Sequence, residues 1–94
     1  MRFEWDEGKR QLNIEKHHID FIDVEEFWES GQVIFEDLRR SYTERRWISY
    51  GLLRNRLMAL AYTIRNEDVR VISFRKANRR EARKYDQAIH ESRA

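Results

Sequence analysis

The run DVRVISFRKANRREARKY, residues 68–85, holds the transition that decides the fold: a strand-like stretch passes through a polar turn into a helix loaded with charge. Six cations and a single Glu fall within its last twelve residues. A period of two sets Val71, Ser73 and Arg75 on one strand face and Arg70, Ile72 and Phe74 on the other, so each face of this interior strand carries an Arg. Asn78 then suits an N-cap. Beyond it Ala82, Tyr85 and Ile89 share one helical stripe, while Arg79, Arg80, Arg83 and Lys84 spread over the opposite arc, which predicts a helix over 79–91.

Upstream of this stretch, QVIFED (32–37), RRWISYGLL (45–53) and RLMALAYTI (56–64) read as three further strands. Arg54–Asn55 makes a compact hairpin link, and Asn66–Glu67 a second turn. Near the N-terminus, MRFEW reads as a short strand or an anchored arm. Asp6 suits a cap, with Glu7 at the start and Lys16 and His17 at the end of a helix over 7–17, each charge matching the helix dipole. Lys9, Asn13 and Lys16 share one side of it. Asp20 opens a second helix, 21–30, in which Phe21, Val24 and Trp28 recur until Ser30–Gly31, where Gly supplies a left-handed cap. The expected architecture is α+β: two N-terminal helices, a four-stranded, largely antiparallel sheet and a C-terminal helix, with the helices on one face of the sheet.

The chain of 94 residues fits a single domain, 1–94, with 40% hydrophobic and 13% aromatic residues to build a core. Charged residues reach 38% but nearly cancel, leaving +2. Their placement is uneven. Residues 1–37 hold four cations against eleven acids, a balance of −7; residues 38–94 hold fifteen against six, a balance of +9. This asymmetry points the second half toward a polyanion, with part of its charge neutralised by the first half. The absence of Cys excludes disulfides and thiolate metal sites, and no apolar run suits a signal peptide or a membrane span, so the expected location is cytoplasmic, without a membrane partner.

Metal ligand spacing is also missing: His17 and His18 are adjacent and His90 stands apart, so neither a metal nor another cofactor is expected. No Gly-rich phosphate loop or nucleophile elbow is present. What remains is guanidinium chemistry. Arg75 sits on an interior strand, and Arg46 shares a strand side with Ile48 and Tyr50. Both can grip phosphate, while Tyr62, Lys16 or His17 can move a proton. That set suits metal-free RNA cleavage, in which the 2′-OH attacks its own phosphate and the protein positions the sugar, neutralises charge and assists proton transfer. Ion pairs to the N-terminal acids, or a solvated helix face, would account for these cations without any function, and the alternative function is a non-catalytic nucleic-acid-binding or protein-interaction module in which the same cations bind without cleavage.

FEWDEGKRQLNIEKHHIDF (3–21) resembles the N-terminal signature of BrnT-type toxins, an F-x-W-D-x-x-K, N-x-x-K-H and x-I/V-x-F series. ERRWISYG (44–51), AYT (61–63) and RVISFRKANRREARKY (70–85) resemble the later blocks of that family, in order. The resemblance implies an endoribonuclease toxin of a type II toxin–antitoxin pair with a RelE-like fold. It implies an RNA substrate and a BrnA-like antitoxin carrying a ribbon-helix-helix domain, with two toxins and two antitoxins in the complex and DNA reached only through the antitoxin. Matching polar positions are Lys9, Asn13, Lys16, His17, Arg46, Tyr62, Arg70, Ser73, Arg75, Glu81 and Tyr85. Arg75, Arg46, Tyr62, Lys16 and His17 are the expected catalytic set, and Lys9, Asn13, Arg70, Arg79, Arg80 and Arg83 the expected substrate contacts. Phe74 departs from the small residue usual in the family and puts the shape of the site in question. Asn78 replaces a Ser or Thr and keeps the capping role.

Overall fold

The computed structural model describes residues 1–92. The elements run β1 (Phe3–Glu4), α1 (Glu7–His17), a 3-10 turn (Phe21–Asp23), α2 (Val24–Glu29), β2 (Gln32–Glu36), β3 (Trp47–Leu53), β4 (Arg56–Arg65), β5 (Asp68–Lys76) and α3 (Arg79–Ser92). The result is an α+β fold with three helices and a five-stranded mixed sheet in the order β1-β5-β4-β3-β2. Strands β2 to β5 form an antiparallel meander, and β1 lies parallel to β5. The expected four strands are thus five. The Val69 N–H donates to the Arg2 carbonyl at 2.9 Å, and Phe3 packs edge-on against Trp28, which draws the arm into the sheet. The expected second helix is divided as well: Asp20 accepts the Ile22 N–H, a 3-10 turn follows, and the α-helix begins at Val24.

Local chemistry accounts for the element ends. Asp6 accepts the Lys9 N–H at 3.0 Å and opens α1; His18, at φ 59°, closes it by donating to Ile14. Paired positive φ values at Arg54 and Asn55, and at Asn66 and Glu67, make both hairpin links type I′-like turns, whose twist suits the strands they join. Gly51 is needed for room: a Cβ there would stand 2.8 Å from the Gly31 carbonyl oxygen and 3.1 Å from Phe27. No helix among the described residues is long and apolar enough to cross a membrane.

Two cores, one on each sheet face, replace the expected single layer of helices. Phe21, Val24 and Phe27 pack with Leu53, Met58, Leu60, Tyr62, Val69, Val71 and Phe74 on one face. On the other, Ile48, Tyr50 and Ala59 meet Phe35, Leu57 and Tyr85, so α3 covers the side opposite α2. Its apolar stripe is short and shields only one end of the sheet.

The faces of β5 differ from the period-two reading. Ala61 pairs with Ser73 but Tyr62 pairs with Val71, so Ile72 is an extra residue in a β-bulge. Alternation restarts beyond it. Val69, Val71 and Phe74 all enter the large core, while Arg70, Ser73 and Arg75 share the α3 face. Phe74 is fully buried and packs edge-on against Phe27 at 5.1 Å, so the residue expected to disturb the site points away from it.

Candidate active site

Because α3 covers only one end, the sheet face beside it stays open. The register sets Tyr50, Ala59 and Arg75 in one row and Ile48, Ala61 and Ser73 in the next. Thr63 and Arg70 pair in a third row, and Arg46 precedes β3 at that end. Small residues at positions 59 and 61 keep the floor low. A groove of about 460 Å³ lies where this face meets the link after β2 and the start of α3, with Ile48, Tyr50 and Arg75 from the sheet, Asp37 and Arg39 from the link and Arg80 from α3 among its lining.

Arg75 is fixed in the groove wall. Its Nη1 and Nη2 donate to the two carboxylate oxygens of Glu81 at 2.7 and 2.9 Å, a fork-to-fork ion pair. Glu81 also closes a capping box: its carboxylate accepts the Asn78 N–H at 2.9 Å, and Asn78 Oδ1 accepts the Glu81 N–H at 2.8 Å. The start of α3 and the position of Arg75 therefore depend on one carboxylate. Burial alone would raise the Glu81 pKa; Arg75, the Asn78 amide and Tyr50 outweigh it and hold the carboxyl below its ordinary value. Tyr50 donates to the same carboxylate at 3.4 Å, and burial followed by the Glu81 charge pushes its phenol pKa up. Tyr50 is thus a neutral proton donor at neutral pH.

At the other side, α1 borders β5. Asn13, 6% exposed, pairs with the β5 backbone: Phe74 N–H donates to its Oδ1 at 3.1 Å, and its Nδ2 donates to the Phe74 carbonyl at 2.7 Å and the Ile19 carbonyl at 2.9 Å. The amide expected to contact substrate is engaged by backbone, and through it α1 is held against the strand. Lys9, Lys16 and His17 then line a shallow hollow with Ile72 and Ser73. Burial, then Lys16, Arg75 and His18, push the His17 pKa down, so the imidazole is neutral and able to accept a proton at neutral pH.

The expected site residues separate into groups. Arg75, Lys16, His17 and Lys9 border the open face, Arg70 shares it with a long 3.8 Å ion pair to Glu4, and Arg80 faces the groove. Arg79 and Arg83 are exposed and form no ion pair among the described residues. Arg46 stacks on Tyr42, its guanidinium carbon 4.3 Å from the ring centroid. It lies four positions before Tyr50, so it stands about 13 Å along the strand from the Arg75 row, at roughly 3.3 Å per residue. Tyr62 is the correction. It is 3% exposed, packs edge-on against Trp28 and shares a 3.0 Å hydrogen bond with Ser49 inside the large core, on the face away from Arg75. The phenol at the site is Tyr50, and its alternation with Arg46 and Ile48 was the available signal. Asp37, Arg39 and Tyr42 lie in a loop without periodicity and gave none. Among the described residues no group of three or more His, Asp or Glu side chains gathers as a metal site.

This arrangement has close counterparts. A crystal structure of the Brucella abortus ribonuclease toxin BrnT, solved at 1.1 Å, matches at a TM-score of 0.66 and 33% identity, over 84% of this chain and 99% of that one. No curated protein matched in sequence. The family model described as the ribonuclease toxin BrnT of type II toxin–antitoxin systems matches residues 5–81, from Trp5 beside α1 to the Glu81 that holds Arg75. Since that span takes in both borders of the open face, the chain belongs to the BrnT family of ribonuclease toxins.

Proposed function

We propose that the protein is a metal-independent endoribonuclease that cleaves single-stranded RNA on the open sheet face and thereby arrests growth. The observation that supports this most directly is Arg75, a guanidinium held rigidly by Glu81, whose charge helps keep His17 neutral in the neighbouring hollow that Lys16 also lines. In this reading the scissile phosphate sits against the outer edge of Arg75, which stabilises charge developing on the nonbridging oxygens. His17 accepts the proton of the attacking 2′-OH, Lys16 adds positive charge beside it, and a water protonates the leaving 5′-oxygen. Lys9, Arg70 and Arg80 hold the flanking backbone. The bound antitoxin, of the BrnA type and ribbon-helix-helix in fold, covers this face, with two toxins on one antitoxin dimer and DNA contacted only by the antitoxin.

The test is cleavage of an end-labelled single-stranded RNA by the free protein in EDTA. Arg75→Ala should lower the rate by about 10²–10³, the usual worth of one positioned charge donor. Its cooperative unfolding should persist. Cleavage that stops with EDTA and returns with magnesium contradicts the mechanism, as does an unimpaired Arg75→Ala protein.

A further inference from the structure

The link between β2 and β3 is held by its own side chains. Asp37, its carboxylate almost fully buried, accepts Arg39 Nε and Nη2, both at 2.8 Å, and the Tyr42 hydroxyl at 3.0 Å. These bonds hold the Asp37 carboxyl well below the usual carboxylate range, so it remains charged and the link stays fastened at neutral pH. Tyr42 then supports the Arg46 guanidinium, whose Nε is buried without a partner. Around them lies a hollow of about 390 Å³, lined by Arg39, Arg40, Tyr42 and Arg46.

Three cations and a phenol form that wall, although Arg40, Tyr42 and Arg46 also border a neighbouring hollow with Glu36, Asp37 and Glu44. Asp37 uses two of the Arg39 donors and leaves Nη1 free; Arg40 and Arg46 have no ion pair among the described residues. Holding the unpaired Arg40 and Arg46 beside the Asp37-paired Arg39, with the Arg46 Nε a buried orphan donor, costs stability unless an anion is bound. Guanidinium forks match phosphate geometry, and an aromatic ring beside them suits a base. Arg39 also lines the Arg75 groove, so the two hollows adjoin through one side chain. The volume is that of a small-ligand site, on the order of 300–1,000 Å³.

We infer that this hollow is a second nucleotide subsite, taking a nucleotide that flanks the scissile phosphate, with its phosphate on Arg39, Arg40 and Arg46 and its base against Tyr42. The inference rests on reading the Arg75 groove as the cleavage site. It makes the loop the element that sets how much RNA on that side of the cut is gripped.

The test uses a labelled 2′-deoxy hexanucleotide, which cannot be cut through a 2′-OH, titrated into the wild type, Arg75→Ala, Arg40→Ala, Arg40→Glu and Arg56→Ala. Arg40 and Arg56 are both exposed, so their removal leaves the fold intact. Arg40→Ala should weaken binding roughly tenfold and reduce the salt slope by about 1. Arg56→Ala, an equal change of net charge at the β3–β4 hairpin, should do neither. Backbone amides of residues 38–46 should shift on titration in both the wild type and Arg75→Ala. Equal effects of Arg40→Ala and Arg56→Ala overturn the subsite, as does an Arg40→Glu protein that loses antitoxin affinity while keeping oligonucleotide affinity. If the loop binds the oligonucleotide but RNA is never cut, the loop stands as a nucleotide-binding site, and the cleavage reading falls together with the flanking role it lends the loop.

Discussion

Asn13 takes the place of a neighbouring strand for the far half of β5, supplying both a donor and an acceptor to the backbone of Phe74. Alanine there leaves buried peptide groups unpaired, so Asn13→Ala should cost about 2–3 kcal/mol in urea unfolding, at roughly 1–3 kcal/mol per orphaned group. Cleavage well below the melting transition should change far less than in Arg75→Ala; a stable but inactive Asn13→Ala protein would instead make the amide a substrate contact. The sequence placed Asn13 on the correct side of α1 but could not say whether a buried amide faces RNA or backbone, since both uses need the same residue type at the same spacing. His17 gives the pH signature. Its pKa lies below 6.5, first through burial and then through neighbouring cations. Folding thus favours the neutral ring: that stabilisation is complete above the unfolded value near 6.5 and is lost as pH falls through the lowered folded one. An NMR titration should place the midpoint below 6.5, and log cleavage rate should rise with pH to that midpoint and level off above it. A midpoint above 6.5 would remove His17 as the base.

At the scale of elements, helix α3 begins in tension with itself. Arg79 and Arg80 occupy its first two positions, where the helix dipole disfavours cations by about 0.3–1 kcal/mol each. The Asn78–Glu81 capping box and the Arg75 pair offset this. Arg79→Glu and Arg80→Glu should each raise the melting temperature slightly while weakening RNA binding; a substitution that lowers stability and leaves RNA affinity intact would make these cations structural. The run of cations, the cap and the helix were legible because spacing and charge are local properties. The bulge in β5 was not. One unpaired residue, Ile72, reverses every face beyond it, and the ladder that reveals it is formed with β4, ten residues away in sequence. A variant lacking Ile72 restores plain alternation with Phe74 still facing the core, so it should fold cooperatively at a cost near 1 kcal/mol, about that of a half-buried aliphatic side chain. An unfolded deletion variant would contradict this assignment of faces.

Across the whole molecule, the two electrical halves pair only in part. Arg39, Arg45, Arg54 and Arg70 of the basic half meet Asp37, Glu36, Asp23 with Glu26, and Glu4 of the acidic half. Lys9 and Lys16 on α1, Arg40 and Arg46 in the link and Arg80 and Lys84 on α3 stand outside these pairs, lining the hollows beside Arg75. The uneven charge could be read directly, as could the α+β class. The side of the sheet carrying α3 could not, because an amphipathic helix fits either face and long-range packing decides. That packing brings Tyr50, and not Tyr62, to Arg75. The central claim is that RNA bound on this face is cut by its own 2′-OH without a metal. The most direct measurement is single-turnover cleavage, in EDTA, of an RNA carrying one 2′-deoxy substitution at the mapped cut, beside the unmodified strand. The unmodified RNA should yield 2′,3′-cyclic phosphate ends, and the substituted position should not be cut, with binding unchanged. Cleavage at the 2′-deoxy position at the normal rate, or 5′-phosphate ends requiring a divalent ion, would contradict it.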